Sequence, residues 1–382
     1  GLATIAILSS MVLVTLVGAA SIYAGKKDYL ASATPHDYSV AGNKVDLTSI
    51  KKLMDDFLIK TGEQANEEVA VSYLFFGIKN QETNKLTVFT KNERKVVPKS
   101  IVLVFSQETF KQLTGKELNL SSNQIALYTK NKTLKTQKSL SIDGKNYQIH
   151  RQLGDFINKK IPNIYKIIVS DYSYLVVPDI KIFESSMKGT SIAQATYVGV
   201  NVKDPTHDAK KNSDLLDQMT DKETQQLAGQ TTGVSQSYLT ANSRYDAEGM
   251  VNGFVGGTFF IGIFLSIIFM LGTVLVIYYK QISEGYEDRE RFVILQKIGL
   301  DDLQVKQTIR KQVLTVFFLP LIFAFIHLAF AYHMISLIVR IIGVLNPDLM
   351  LVVTIIVCGV FFLAYVLVFA LTSRSYRRIV SM

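Results

Sequence analysis

The residues that could carry reaction chemistry in this 382-residue chain are few: five histidines, one cysteine and a single phosphate-loop-like run. His36, His150 and His207 stand far apart, without Cys or carboxylate partners at the spacing a metal site uses. His327 and His333 lie six residues apart in an apolar run, and six residues turn a helix through about 600°. Their rings therefore point to different faces, and hydrogen bonds to neighbouring helices are the expected role. "TGKEL", beginning at Thr114, has the Gly-Lys of a P-loop but lacks the earlier glycine and the following Ser/Thr. There is no G-x-S-x-G elbow and no H-E-x-x-H. The lysine cluster "YTKNKTLKTQK" could meet an anionic partner such as a pyrophosphate or a lipid headgroup, or stand as a solvated hairpin. Cys358 sits in an apolar run, which leaves no disulfide framework and no thiolate metal cluster. No catalytic constellation emerges.

A second kind of chemistry, force passed through a docked helix, has better material. "SEGYEDRERFVILQKIG" favours a helix from about Ser283 to Ile298, acidic in its first turns and ending on Lys297, as the helix dipole prefers. Gly299 can take the left-handed conformation that closes it. Asp301 then caps a second helix, with Gln304 three residues on, and that helix can run straight into the next apolar stretch. Phe292, Leu295 and Ile298 form an apolar stripe, broadened by Val293 and Ile294. A helix resting in lipid headgroups usually carries a basic polar face. Here Glu284, Glu287, Asp288 and Glu290 oppose an anionic leaflet, so docking into a groove on a cytoplasmic protein fits better.

The elements around that segment are membrane spans. Charged residues make up 19% of the chain, apolar ones 48%, and four runs reach the length of about 20 residues that a bilayer requires. They predict transmembrane helices over 1–24, 249–279, 313–340 and 349–373. The 31 uncharged residues of the second would make about 46 Å of helix against a hydrocarbon core of about 30 Å, so tilt or a stalk is expected. Gly249, Gly253 and Gly257 share one stripe there, suited to close helix packing. Pro320 is expected to kink the third span. The first run has no initiating Met and no basic flank, so it reads as a membrane helix rather than a signal peptide, with the chain a piece of a longer protein.

Orientation follows from flanking basic residues. Lys280, Arg289, Arg291, Lys297, Lys306, Arg310 and Lys311 place the 280–312 segment in the cytoplasm, and Arg374, Arg377 and Arg378 do the same for the 374–382 tail. Residues 25–248 are then extracytoplasmic. They hold 30 basic and 25 acidic residues, so the formal charge of +9 is no nucleic-acid footprint. "DLTSIKKLMDDFLIKTGEQ" is an amphipathic helix, with Ile50, Leu53, Met54, Phe57 and Leu58 on one face and Gly62 as its stop. Strands are expected at "VAVSYLFFGI", "KLTVFT", "KSIVLVFS", "NQIALYT", "YQIHRQL", "YKIIVSDYSYLVVPD" and "TYVGVNV". "SQETFKQLTG" reads as a helix capped by Ser106, and "NSDLLDQMTDKETQQLAG" as one capped by Asn212 or Ser213. The fold class expected is an α-helical membrane protein with four transmembrane helices and a large α+β extracytoplasmic domain between the first two.

"DRERFVILQKIGLDDLQVKQTI" resembles the cytoplasmic coupling segment of FtsX/MacB-type ABC transporter permeases, an R-x-x-E-I-x-I-L-R-A-I-G-A-like run. Arg291, Ile294, Leu295, Ile298 and Gly299 match, and Lys297 replaces an Arg. The family's Glu has no counterpart, since Phe292 or Val293 falls there. The wording "QISEGYEDRERF" and "IRKQVLTVFFLPL" is most like the bacitracin/lantibiotic-resistance, Bce-type branch. The resemblance implies the C-terminal portion of a ten-helix permease, with no ATPase motif of its own. It implies an ABC ATPase homodimer as partner, holding the ATP and Mg and pushing on residues 284–300. It further implies a peptide antibiotic bound to a lipid-linked cell-wall precursor as the substrate acted on from the membrane, and a sensor histidine kinase as a further contact. The alternatives are a permease for lipoprotein or peptide export or for cell-division regulation, and, from another class, a membrane-anchored binding or receptor protein.

Overall fold

The computed structural model describes residues 2–93, 98–163, 165–169, 171–203, 208–230, 237–297, 302–344 and 346–380. In chain order the elements are α1 (Leu2–Ala33), β1 (Tyr38–Asn43), α2 (Leu47–Thr61), β2 (Ala65–Glu82), β3 (Lys85–Val88), β4 (Ser100–Ser106), α3 (Gln107–Thr114), β5 (Gln124–Thr129), α4 (Lys132–Lys135), β6 (Ser139–Ile142) and β7 (Lys145–Gln152). They continue as α5 (Tyr165–Ile168), β8 (Asp171–Val177), α6 (Ile180–Ser186), β9 (Ile192–Val202), α7 (Ala209–Gln230), β10 (Tyr238–Ser243), α8 (Arg244–Lys297), α9 (Asp302–Ile341) and α10 (Pro347–Val380). The chain divides into two compact units, one of residues 1–27 with 252–382, the other of residues 28–251.

Among the described residues, four helical stretches are long and apolar enough to cross a membrane: Leu2–Ala33, Arg244–Glu287, Phe317–Ile341 and Pro347–Thr372. Pro320 lies inside α9. Nearby, Tyr365 of α10 is fully buried and donates its Oη–H to the Phe317 carbonyl at 2.9 Å. Phe317, Phe361 and Phe369 pack around it, the ring centres of Phe317 and Phe369 standing 4.5 Å apart. A buried tyrosine needs a partner for its hydroxyl.

The other unit is β-rich. Its sheet runs in the order β10-β1-β9-β2-β3-β6-β7-β5-β8-β4 and mixes parallel with antiparallel pairs. β2 spans 18 residues and also pairs with β4, so the path from β2 through β3, β6, β7, β5, β8 and β4 returns to its start. Phe76, Leu86, Val104, Leu127, Ile142 and Leu175 come from six of those strands and meet in one buried cluster, which therefore fills the circuit. Leu134 of α4 and Phe183 of α6 complete it. Each such side chain is worth about 1.5–3 kcal/mol relative to exposure. A second cluster lies where α2 and α7 cover β1, β9 and β10, and there Ile50, Leu53, Met54 and Phe57 are buried.

Local signals explain the helix ends. Asp46 accepts from the Ser49 amide at 2.9 Å, and Gly62 closes α2 at φ 71°. Ser106 and Gly115 do the same for α3. Two expectations are corrected. α7 begins at Ala209, so Asn212 and Ser213 lie within it; both are buried, and Ser213 bonds to Ser243 at 2.7 Å instead of capping. The lysine-rich run is not a hairpin: it leaves β5, makes the short helix α4 capped by Asn131, and enters β6, which pairs with β3 and β7. In addition, β1 and β10 form a pair of strands that had no forecast, since "YSVAGN" and "YLTANS" carry small and polar residues that mute the alternation.

Candidate functional site

The candidate coupling residues stand on the last turns of α8. The helix expected from about Ser283 is continuous with the span before it: α8 is one helix of 54 residues, about 80 Å long, from Arg244 through the apolar run to Lys297. Gly285 sits within it without interrupting it, as an isolated glycine costs only about 1 kcal/mol relative to Ala. Glu284, Glu287, Glu290, Arg291, Phe292, Ile294, Leu295 and Lys297 are all on this helix. Ile298, Gly299 and the capping Asp301 lie outside the described residues. α9 starts at Asp302 and runs unbroken into its apolar stretch.

At about 100° per residue, Ser283, Tyr286, Glu287 and Ile294 fall on one narrow stripe of α8, and all four are exposed. Gln281 and Gly285 fall on the opposite side and are buried. Ile294 is 58% exposed and Tyr286 59%, so the stripe pairs an aliphatic and an aromatic side chain with a carboxylate. That composition suits a protein groove better than water alone.

Further along α8, the helix packs against α1. Tyr23 stacks on Phe259 with ring centres 4.6 Å apart, Thr15 Oγ1 meets Ser266 Oγ at 2.7 Å, and Lys26 reaches Asn252 Oδ1 at 2.7 Å. The numbers rise on one helix as they fall on the other, so the pair is antiparallel. A Cβ built on Gly262 would stand 2.3 Å from the Ala19 Cβ. The glycine stripe singled out in the sequence is elsewhere: a Cβ built on Gly249, Gly253 or Gly257 would meet nothing within 4 Å among the described residues. Among the described glycines of α8, the tightest approach is at Gly262, a lone glycine that no spacing motif marks.

The histidines part company as their spacing indicates. His327 Nδ1 lies 3.0 Å from Ser10 Oγ of α1, and His333 is exposed. The Ser10 hydroxyl is already donated to the Ala6 carbonyl at 2.7 Å, so the His327 Nδ1–H is the donor across the helices. In the β-rich unit His150 is exposed and His207 lies outside the described residues. His36 is buried, its Nδ1 2.8 Å from Tyr197 Oη, and burial holds its pKa below the ordinary value.

Two networks in the β-rich unit had no sequence forecast. Tyr165 donates to Tyr174 at 2.9 Å, and burial pushes both phenols well up, which keeps them protonated and hydrogen-bonded. Beside them Lys166 pairs with Asp155 at 2.8 Å. At the start of α8, Asp246 accepts from Ser243 Oγ at 2.8 Å while the Asp246 amide donates to Ser243 Oγ at 3.1 Å. The Ser243 hydroxyl thus caps α8, and "SRYD" ahead of an apolar run is the signal that would have found it. Ser213 of α7 also donates to Asp246, tying that helix to the cap.

No family model matches the chain. Among curated proteins of Bacillus subtilis (strain 168), it is 36% identical over 72 residues to the ABC transporter permease protein YxdM, covering 19% of this chain and 12% of that protein. It is 30% identical over 121 residues to the uncharacterized ABC transporter permease YvcS, 32% of this chain and 18% of the relative. It is 29% identical over 140 residues to the bacitracin export permease protein BceB, 37% of this chain and 19% of the relative. The chain thus spans less than a fifth of each relative's length. Among solved structures, a Bacillus anthracis chain described as a lipoprotein aligns at 14% identity over 46% of this chain and 90% of its own, with a TM-score of 0.25, which carries no argument about the fold. The three relatives, with the four apolar helices, support an ABC transporter permease, a multi-pass membrane protein of bacterial type.

Proposed function

We propose that this chain is part of a Bce-type permease that uses ATP hydrolysis by a partner ATPase to remove or detoxify peptide antibiotics of the bacitracin/lantibiotic class at the cell envelope. The observation that carries the reading is the likeness to three ABC transporter permeases, one of them a bacitracin export permease. The exposed stripe of Ser283, Tyr286, Glu287 and Ile294 supports a docking role for the end of α8. In this reading the ATPase homodimer binds ATP and Mg, and its closure pushes on residues 284–300. The basic residues of 280–312 support a cytoplasmic place for that segment. The β-rich unit then lies outside, where it meets the peptide or its lipid-linked precursor, and a sensor histidine kinase reads the same motion.

The test is co-purification of the full-length protein with its ATPase, followed by charge reversal at Glu290 and Arg291. Loss of both the ATPase and peptide resistance on reversal is the expected result. A wild-type protein that captures no ATPase, or a reversed variant that keeps full resistance, would overturn the reading.

A further inference from the structure

α1 ends at Ala33 and α8 begins at Arg244, and within the β-rich unit the chain at these two points is joined by an unusual density of bonds. The Arg244 amide donates to the Asp37 carbonyl at 2.8 Å, which extends the β1–β10 register by one residue beyond Tyr38 and Ser243. The Arg244 guanidinium donates to Asp37 Oδ1 at 2.7 Å and to the Pro35 carbonyl at 2.6 Å. Asp37 Oδ2 accepts the Val202 amide at 3.0 Å, and the Asp37 amide donates to Asn201 Oδ1 at 3.1 Å. Asn201 in turn donates to Glu67 at 3.1 Å, and the Asn163 amide donates to the Ser32 carbonyl at 3.1 Å in the last turn of α1. Asp37 is the hub: four bonds converge on it from β9 and Arg244. The ion pair is partly shielded, with 18% of the Asp37 side chain and 36% of Arg244 exposed. A forked guanidinium holding a carboxylate and a carbonyl at once is a geometry that Lys cannot copy.

We propose that Asp37, Arg244 and Asn201 form a fixed clasp that joins the chain leaving α1 to the first residue of α8, so that the two helices act on the sheet as one pair and not as independent levers. Asp37 and Arg244 are positioning residues, and the assignment rests on the ATP-coupled reading above. A ligand-binding or peptide-contact role is not assigned to them, because their polar groups are already directed at each other and at the backbone.

The clasp is tested by asking whether it must stay shut. Residues directly opposite in an antiparallel pair stand about 4.5–5.5 Å apart, within disulfide reach. Asp37→Cys with Arg244→Cys, in a Cys358→Ala background of the full-length transporter, can therefore be locked by oxidation and freed by reduction. The oxidised form should keep wild-type peptide resistance, and the reduced form should lose it about ten-fold while ATPase association and ATP hydrolysis persist. An inactive oxidised form, or a reduced form as resistant as wild type, would overturn the proposal. Asp37→Asn, which keeps the backbone pairing, gives a readout independent of transport: amide exchange at residues 36–39 and 243–246 should rise about ten-fold. Unchanged exchange would also overturn it. If the wild-type protein confers no peptide resistance, the functional reading fails while the exchange measurement still decides the clasp.

Discussion

Gly262 of α8 lies against Ala19 of α1 so closely that a Cβ on the glycine would stand 2.3 Å from the Ala19 Cβ. Both positions belong to the helical unit, and the neighbouring Thr15–Ser266 and Tyr23–Phe259 contacts depend on the same spacing. Gly262→Val should force the helices apart and cost about 1–3 kcal/mol, the usual penalty of overpacking. Gly257→Val, where an added Cβ would meet nothing within 4 Å, serves as the control and should be neutral or gain a few tenths of a kcal/mol, about the helix-propensity difference. Thermal unfolding of the detergent-solubilised protein measures both, and equal losses would show that Gly262 has no special place.

The buried His36 makes the β-rich unit sensitive to acid. Its pKa lies below the ordinary 6.5, chiefly because burial penalises the charged ring, with Arg244 adding to the shift and Glu67 and Asp37 opposing it. With the folded pKa the lower one, stability is complete above about pH 6.5, where both states are neutral. Below it the unfolded chain binds the proton first, so stability falls as pH drops from 6.5 toward the folded pKa. Unfolding midpoints between pH 7.5 and 5 should therefore fall more steeply for wild type than for His36→Gln. Parallel curves would mean His36 titrates normally.

Tyr365 offers a test of polar contacts in the helical unit. Removing its hydroxyl as Tyr365→Phe should cost about 0.5–1.5 kcal/mol, the net worth of one hydrogen bond, because the Phe317 carbonyl loses that donor. Tyr365→Ala also empties a fully buried site and should cost about 3–5 kcal/mol. A negligible loss in the first with a large one in the second would assign the residue to packing alone.

Ser243→Ala removes the N-cap of α8, and a plain cap is worth about 1 kcal/mol. The loss should exceed that of a plain cap, since Ser213 and Asp246 share the same hydroxyl network. A double-mutant cycle with Ser213→Ala measures the shared part, and strict additivity would contradict the network.

The parts of this architecture legible in the sequence are those set by local rules. Asp46, Ser106, Gly62 and Gly115 bound their helices because caps and left-handed stops act within a few residues. Apolar run length likewise foretells four candidate spans. What stayed hidden depends on partners distant in sequence. Gly262 is ordinary until Ala19 faces it, and Arg244 is one basic residue among 41 until β1 and β10 pair. The closure of the sheet through β2 and β4 is invisible for the same reason, since both read as ordinary apolar strands with no mark of the partner.

The exposed stripe at the end of α8 separates docking from structure most sharply. Ile294 is 58% exposed and Glu287 is exposed, and their seven-residue spacing brings both to one face after two turns. Such a side chain contributes little to the fold, so Ile294→Asp should leave the unfolding midpoint unchanged. If the face seats in a groove of the ATPase, the same change places a charge in a desolvated contact and should weaken association by about ten-fold or more. Glu287→Lys should act in the same direction with a stronger dependence on salt. Titration of the detergent-solubilised permease with its purified ATPase measures both. Wild-type affinity in both variants would remove this face from the coupling surface and leave the binding to residues beyond Lys297.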